Sequence, residues 1–366
     1  MTIDGALERR FIAVDHPGWR QGHASTLLVV DGGALVAWFG GTREGAPDNR
    51  IWSSSRPTAD APWGEAVVLA EGAVAHWNPV LAHGPDGAIW LFYKRGERIS
   101  QWATWVRRSW DGGRTWSGPE QLVPDDVGGR GPVKNPPLLM PDGGWLAPAS
   151  RERWGEQTVW EPFVDVSTDD GRTWHAQAIP VDRTRLRGTG LIQPALWFDG
   201  DAVFALMRST EGRAYLSTSG DAGRTWSVAE PVELPNNNSG LTALALPDGT
   251  VACVHNPVSA DWGARCPLVV SVSEDNGRTW TRSVVVEDGR TPIEGDRSRA
   301  PQLPPSGAFA AADDGVQTTG VGEYSYPSAA LDGDHLLIAY TWQRRGIVEA
   351  RVPLNLLSTR KDSVPL

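Results

Sequence analysis

Six times along the chain a short apolar run meets an Asp-Gly pair and is followed by a second apolar run. The pairs are Asp31-Gly32, Asp86-Gly87, Asp142-Gly143, Asp199-Gly200, Asp248-Gly249 and Asp332-Gly333. Asp-Gly between apolar runs of strand length is a strong hairpin signal, because both residues tolerate the positive φ that a tight turn needs. In the second unit the pattern predicts strands over Pro79–Ala82, Ala88–Tyr93 and Trp102–Ser109. No apolar run approaches the roughly 18 residues of a membrane-spanning helix.

A second repeat runs in phase with the first. It reads Ser109–Trp116 (SWDGGRTW), Ser167–Trp174 (STDDGRTW), Ser219–Trp226 (SGDAGRTW) and Ser273–Trp280 (SEDNGRTW), at spacings of 58, 52 and 54 residues. A β-patterned period near 50 is the signature of propeller blades. The expected fold is therefore all-β: a six-bladed β-propeller of four-stranded antiparallel blades, with residues 1–366 as one domain. Within the repeat, Asp and Ser should bond the backbone of the turn, Gly should take positive φ, and Trp should fill the gap to the neighbouring sheet. A role for its Asp as calcium ligand or catalytic acid is the alternative. Unit one keeps only an eroded copy from Ser55 to Trp63, and unit six has none. Unit six ends with a strand over Gly346–Val352, so the stretch Glu8–Val14 is expected to supply its outer strand and close the ring. The period breaks between Trp280 and Glu323. The stretch of about 290–320, rich in Pro, Ala, Gly, Asp and Arg, reads as a surface insertion, either a plain loop or a lid.

Composition narrows the function. The net charge of −10 argues against nucleic acid as the main partner. Only Cys253 and Cys266 are present, which excludes a disulfide framework and suggests reduced core thiols. Residues Met1 to Arg10 lack the apolar segment of a secretory signal, so a cytoplasmic location is expected. There is no His-Glu-x-x-His pair, Cys cluster or phosphate-loop pattern; no metal and no cofactor is expected. Lys is confined to Lys94, Lys134 and Lys361, and the other 31 basic residues are Arg.

In a four-stranded blade, inner-strand starts and second-strand ends share one face of the disc. The inner-strand starts place His23, His76 with Asn78, Lys134 with Asn135, Gln193, Asn238 with Ser239, and Tyr324 with Tyr326 around the axis. The second-strand ends add Arg43 with Glu44 and Asp48, Lys94 with Arg95, Arg151 with Glu152, Arg208 with Glu211, His255 with Asn256, and Trp342 with Arg344. So many cations at one centre, in a chain of net charge −10, imply an anionic small ligand, because the local field outweighs the net charge. Trp38, Trp52, Trp77, Trp102, Trp105 and Trp342 are candidates to stack on sugar rings.

With these repeats the chain resembles the sialidase (neuraminidase) superfamily, over nearly its whole length from His23 to about Glu349, and in particular a divergent branch of it. The eight-residue repeat matches that superfamily's Asp-box. The resemblance implies an exo-glycosidase for a terminal acidic sugar, with an Arg triad on the substrate carboxylate, an Asp acid and a Tyr nucleophile activated by a Glu. In AWFGGTREGAPDNRIW, Arg43 and Asp48 fall on a binding Arg and the acid. Arg208 falls on the second triad Arg. In HNPVSADWGARCPLVVSVSEDNGRTW, Arg265 falls on the third, and in EYSYPSAALDG, Tyr324 falls on the nucleophile. Two positions depart from the pattern: Ala24 stands where the first triad Arg is expected, and Gln193 where the activating Glu is expected, with Glu211 and Glu323 as candidate replacements. On this resemblance Asp48 and Tyr324 are the catalytic pair. Arg43, Arg208, Arg265, His23, His76, Asn78, Lys134, Asn135, Gln193 and Tyr326 bind the anionic carbohydrate. A carboxylate beside the reacting carbon would repel a carboxylate nucleophile, which accounts for a Tyr in that role. Asp48 should then have a raised pKa from partial burial.

Two other functions fit the same face. A uronate-directed lyase would use a base beside a neutralised carboxylate, and His23, His76 and His255 are candidates. A non-catalytic glycan binder would need the aromatic rim alone.

Overall fold

The computed structural model describes residues 4–293 and 322–358. The expected insertion lies, from residue 294 onward, outside the described residues. Six four-stranded antiparallel sheets form a six-bladed propeller. Blade one comprises Gln21–Val30, Gly33–Gly41, Arg50–Arg56 and Val67–Ala70; blade two His76–His83, Ile89–Arg95, Ala103–Ser109 and Glu120–Gln121. Blade three runs through Leu138–Leu139, Trp145–Arg153, Val159–Ser167 and His175–Ala178; blade four through Leu191–Asp199, Ala202–Ser209, Arg213–Ser219 and Glu230–Pro235. Blade five holds Thr242–Ala245, Val251–His255, Leu268–Ser273 and Arg282–Glu287.

Blade six takes Tyr324–Asp332, His335–Trp342 and Gly346–Pro353 from one end of the chain and Glu8–Val14 from the other, paired from Glu8↔Arg351 to Val14↔Gly346. This closes the ring as expected. Buried ions lock the closure. Glu349 bonds Arg10 at 2.5 Å, Arg56 of blade one at 2.7 Å and the Trp63 indole at 3.0 Å. On the other side Arg9 meets Glu287 of blade five at 2.6 Å. Trp63, all that survives of the first unit's eroded repeat, has thus become a hydrogen-bond donor at the seam.

An apolar cluster fills each seam between blades. Val270 and Val254 of blade five pack with Ile338 and Val348 of blade six, and Trp38 of blade one packs with Leu337 and Ile347 of blade six. The Asp-box Trp residues serve the seams as read from sequence. Trp174 joins the cluster of blades two and three, Trp226 that of blades three and four, and Trp280 borders that of blades four and five. Within each box the Asp carboxylate is consumed by the turn: Asp221 accepts from Thr225 N at 2.8 Å, Thr225 Oγ1 at 2.6 Å and Ser219 Oγ at 2.8 Å. Ser219 Oγ also accepts from Gly223 N at 2.9 Å. Replacing Ser219 by Ala strands that buried N–H, and chemical denaturation is expected to show a loss of roughly 1–3 kcal/mol.

One irregularity recurs and positions everything at the axis. In blades one, two, four and six the inner strand gains one extra residue against its partner, between His23 and Thr26, Trp77 and Val80, Ile192 and Ala195, and Ser325 and Ser328. The residue at the bulge has left-handed backbone: Ala24 (φ 54°), Asn78 (41°), Gln193 (57°) and Tyr326 (50°), and Asn238 (57°) occupies the matching place in blade five. Three of these bulges place a Pro next, at Pro79, Pro194 and Pro327, where no N–H is available for the ladder. A bulge shifts the alternation of the strand by one and re-aims a side chain.

Candidate active site

Three of the bulged residues, Asn78, Gln193 and Tyr326, meet at a central pocket of about 360 Å³. Its lining includes His23, Asn78, Gln193 and Tyr326 from inner strands, and Arg43, Glu44, Glu152, Arg208 and Arg344 at or just beyond second-strand ends. Arg265 and the aromatic residues Trp77, Trp102, Trp154, Trp160 and Trp262 complete it.

Arg208 is 2% exposed and spends its donors on neutral oxygens. It gives Nε and Nη2 to Asn238 Oδ1 at 3.0 and 2.8 Å, and Nη1 to Gln193 Oε1 at 3.2 Å and to the Tyr326 hydroxyl at 2.7 Å. Among the described residues no carboxylate pairs with it, so its charge lacks a direct counter-ion. Its guanidinium also lies 5.6 Å from the Trp160 ring centroid. Arg265 and Arg344 differ. Both hold Glu323, at 2.6 and 3.1 Å, and Arg344 also bonds Glu44. Burial alone would raise the Glu323 pKa, but Arg344 and Arg265 hold it down to about 2. Arg265 stays in reach of the pocket centre, 5.6 Å from the Tyr326 ring centroid.

Two further groups are tuned. Burial pushes the Glu152 carboxyl up to about 7, against the pull of Arg208. The opposite holds for His23, whose pKa falls well below its ordinary value through burial and then through Arg344, Arg265, Arg208 and Lys134. His23 is therefore a neutral imidazole. Its Nδ1 meets Thr341 Oγ1 at 3.0 Å, and its ring centroid is 4.3 Å from that of Tyr326.

Of the twelve residues given a catalytic or binding role from the sequence, seven line the pocket: Arg43, Arg208, Arg265, His23, Asn78, Gln193 and Tyr326. The others do not. The Tyr324 side chain is 2% exposed in the apolar seam between blades five and six, and its hydroxyl accepts from Gln343 Nε2 at 2.8 Å. It lies two residues before the bulge, so the alternation carries it into the core and delivers Tyr326 to the pocket. Asp48 does not line the pocket either; its carboxylate caps the turn, accepting from Thr42 Oγ1 at 2.5 Å and Thr42 N at 3.1 Å. His76 bonds Val74 O at 2.9 Å and stacks on Tyr93. His255 is buried between Pro235 O at 3.1 Å and Ser271 Oγ at 2.9 Å. Of the sugar-stacking candidates, Trp77 and Trp102 line the pocket; Trp38 and Trp52 are core, Trp105 borders the core under Arg95, and Trp342 packs against Phe11.

Lys134 and Asn135 lie buried, 4% and 2% exposed, and outside the pocket lining. Lys134 Nζ donates to Pro327 O, tying blade three to the bulge of Tyr326, and Asn135 Nδ2 donates to Pro194 O at 3.0 Å beside the bulge of Gln193. Gly240 completes the packing: a Cβ there would stand 2.9 Å from Lys134 Cε and 3.2 Å from Tyr326 Cγ. Burial pushes the Lys134 ammonium down to about 7 from 10.5. Between those pH values the unfolded chain binds more protons than the folded one, so stability rises with pH across that window. Replacing Lys134 by Met is expected to flatten this rise in urea unfolding followed from pH 7 to 10, leaving the similar share of Lys94, also pushed down to about 7.

From the sequence, Asn238, Glu152 and Arg344 fall on this face and Glu323 is a candidate activating Glu, but none of them is singled out among the binding residues; Trp154, Trp160 and Trp262 are missed altogether. One signal would have favoured Tyr326 over Tyr324: it precedes a Pro, as Asn78, Asn135 and Gln193 do. The Trp residues carry no such mark, since the chain has 19.

Comparison with known proteins bears on the fold. No curated protein matches the chain. Among solved structures it is similar to a protein of unknown function from Dyadobacter fermentans, at 15% identity and a TM-score of 0.69, covering 96% of this chain and 100% of the other. It is similar to the NanB sialidase of Streptococcus pneumoniae at 12% identity and 0.67, covering 95% and 71%. It is also similar to the intramolecular trans-sialidase of Ruminococcus gnavus, at 11% and 0.68, covering 99% and 100%. At such identities the likeness shows a sialidase-like fold and nothing finer. The profile of the BNR repeat-like domain matches residues 32–338, and the chain belongs to that family.

Proposed function

We propose that the protein is a sialidase-like exo-glycosidase that removes a terminal carboxylate-bearing sugar. The carrying observation is Arg208: a buried guanidinium without a carboxylate partner among the described residues, donating to a tyrosine hydroxyl in a Trp-lined pocket. The substrate carboxylate supplies the missing counter-ion to Arg208, assisted by Arg43. Tyr326 takes the place that the resemblance gave to Tyr324. Its oxygen attacks the anomeric carbon while the bond to the leaving oxygen breaks, and Glu152, protonated up to about pH 7, gives its proton to that oxygen. The phenolic proton leaves to solvent while Arg208, donating to that oxygen at 2.7 Å, stabilises the phenolate; water then gives a proton to the Glu152 carboxylate as it displaces Tyr326 from the sugar.

The position of His23 in the pocket, its ring centroid 4.3 Å from that of Tyr326, gives a second reading, β-elimination on a uronate. There His23 removes the proton next to the carboxylate while Arg208 neutralises the acid. One assay separates them. Purified protein is offered sialosides, other terminal nonulosonates and uronosides, with reducing sugar and near-ultraviolet absorbance followed together. Reducing sugar without absorbance supports hydrolysis, absorbance supports elimination, and binding without either product would overturn both in favour of a glycan binder.

A further inference from the structure

Where blades six and one meet at the pocket, one hydroxyl holds two groups. Thr341, in the second strand of blade six, is fully buried. Its Oγ1 has two partners among the described residues: it accepts from the Ala24 backbone N at 3.2 Å and meets His23 Nδ1 at 3.0 Å. The first bond follows from the bulge in the inner strand of blade one. The register there skips from His23 to Thr26, so Ala24 has no partner in its own ladder and its N–H is taken up by the neighbouring blade. The ring of His23 is held on two further sides. Phe39 meets it edge to face with centroids 5.7 Å apart, and Tyr326 lies at 4.3 Å. His23 lines the pocket while only 2% exposed, and its Nε2 has no partner among the described residues.

The partners of Thr341 decide which nitrogen of His23 carries a proton. A neutral imidazole has one N–H and one bare nitrogen. Were the proton on Nδ1, Thr341 Oγ1 would accept from both neighbours, and its own hydroxyl proton would be left without an acceptor in a fully buried site. An unmet buried donor disfavours that arrangement by on the order of tenfold in population. With the proton on Nε2, the Thr341 hydroxyl donates to Nδ1 and accepts from Ala24, and all three groups are satisfied. Arg344, Arg265, Arg208 and Lys134 oppose a second proton on the ring.

We propose that Thr341 is a positioning residue that holds His23 in the Nε2–H form, so that the pocket offers an uncharged donor to an uncharged oxygen, a hydroxyl or amide carbonyl, of the bound sugar. The tautomer follows from the fold alone, whereas the sugar rests on the function given above. Arg208 and Arg43 take the carboxylate, and His23 takes the oxygen that lies beside Tyr326. A wall built around such a donor rejects a sugar lacking that oxygen, because the N–H would then be buried and unpaired. The same tautomer denies elimination its base: Nε2 already holds a proton, and Nδ1 is occupied by Thr341.

Long-range proton–nitrogen NMR spectra of the full chain, labelled with nitrogen-15 in its histidines, test this, with the His23 signals identified by their loss in His23→Gln. The expected result is a pyridine-like Nδ1 and a pyrrole-like Nε2, unchanged between pH 6 and 9. Thr341→Val should mix the two forms and draw the two nitrogen shifts together, and Thr341→Ser should keep the original pair. A pyrrole-like Nδ1 or an imidazolium in the unaltered protein overturns the proposal, as does a Thr341→Val spectrum identical to the unaltered one; if Thr341→Val does not fold, the unaltered spectrum decides. N-acetylneuraminic acid and galacturonic acid are then titrated in. Whichever binds should shift Nε2 and leave Nδ1 pyridine-like, and should bind at least tenfold more weakly to His23→Phe but within twofold to Thr341→Ser. Binding that leaves Nε2 unmoved, or that survives His23→Phe, overturns the recognition role alone. If neither sugar binds, the central-pocket reading fails and that role with it, while the tautomer stands or falls on the first spectra.

Discussion

Tyr326→Phe is expected to lower kcat by roughly a thousandfold or more on any substrate that the assay above identifies, because it removes the attacking oxygen. Tyr324→Phe is the matched control. It deletes a hydroxyl that the seam between blades five and six holds against Gln343, so kcat should stay within a few-fold of the unaltered protein. The reverse result would return the nucleophile to Tyr324 and require the bulge to slip by two residues. Glu152→Gln extends the test to the proton donor. A carboxyl held at about 7 by burial gives up its donating proton as the pH rises through that value, so the rate of the unaltered protein should fall on the alkaline side. In Glu152→Gln the rate should be low throughout and that alkaline limb should vanish.

The second large effect concerns stability. Glu349 is fully buried and is shared by Arg10, Arg56 and the Trp63 indole. Glu349→Ala leaves Arg56, itself 2% exposed, without its ion-pair partner in the seam between blades six and one. Breaking a buried pair from one side typically costs about 3–5 kcal/mol, more than the pair contributes over an apolar replacement. Urea unfolding should show that loss. Arg351→Ala provides the contrast, since its Asp60 partner, 3.6 Å away, is 97% exposed, and such a pair contributes at most about 1 kcal/mol.

The blades were legible because their signals are local. Asp-Gly turns, alternating apolar positions and an eight-residue turn each specify a backbone shape within a few residues, and the Trp residues followed as seam plugs. Even the closing strand Glu8–Val14 could be read, because blade six lacked a fourth strand in its own stretch of sequence. The site was legible as a face but not as side-chain directions. A period-two reading of EYSYPS puts Tyr324 and Tyr326 on the same side of the strand, and the extra residue beside Pro327 decides which of them meets the pocket. Similarly, Arg208 and Arg265 look alike in the sequence. That one is neutralised by Glu323 while the other lacks a carboxylate depends on contacts between distant blades. Asp48 follows the same lesson from the other side: Thr42, six residues away, captures its carboxylate in a local turn.

The shared sixth blade also has a consequence in time. Glu8–Val14 leaves the ribosome before its partner Gly346–Pro353, which follows more than three hundred residues later. At about 5–20 residues per second, the first strand waits roughly 17 to 70 s for its mate. Throughout that interval the growing chain carries this strand unpaired and an open edge on the last blade made, both able to pair with a neighbouring chain on the same polysome. The charges of ERRFIAV, which later lock the seam through Arg9 and Arg10, also keep that waiting strand soluble. The residues that hold the finished ring therefore protect the unfinished one.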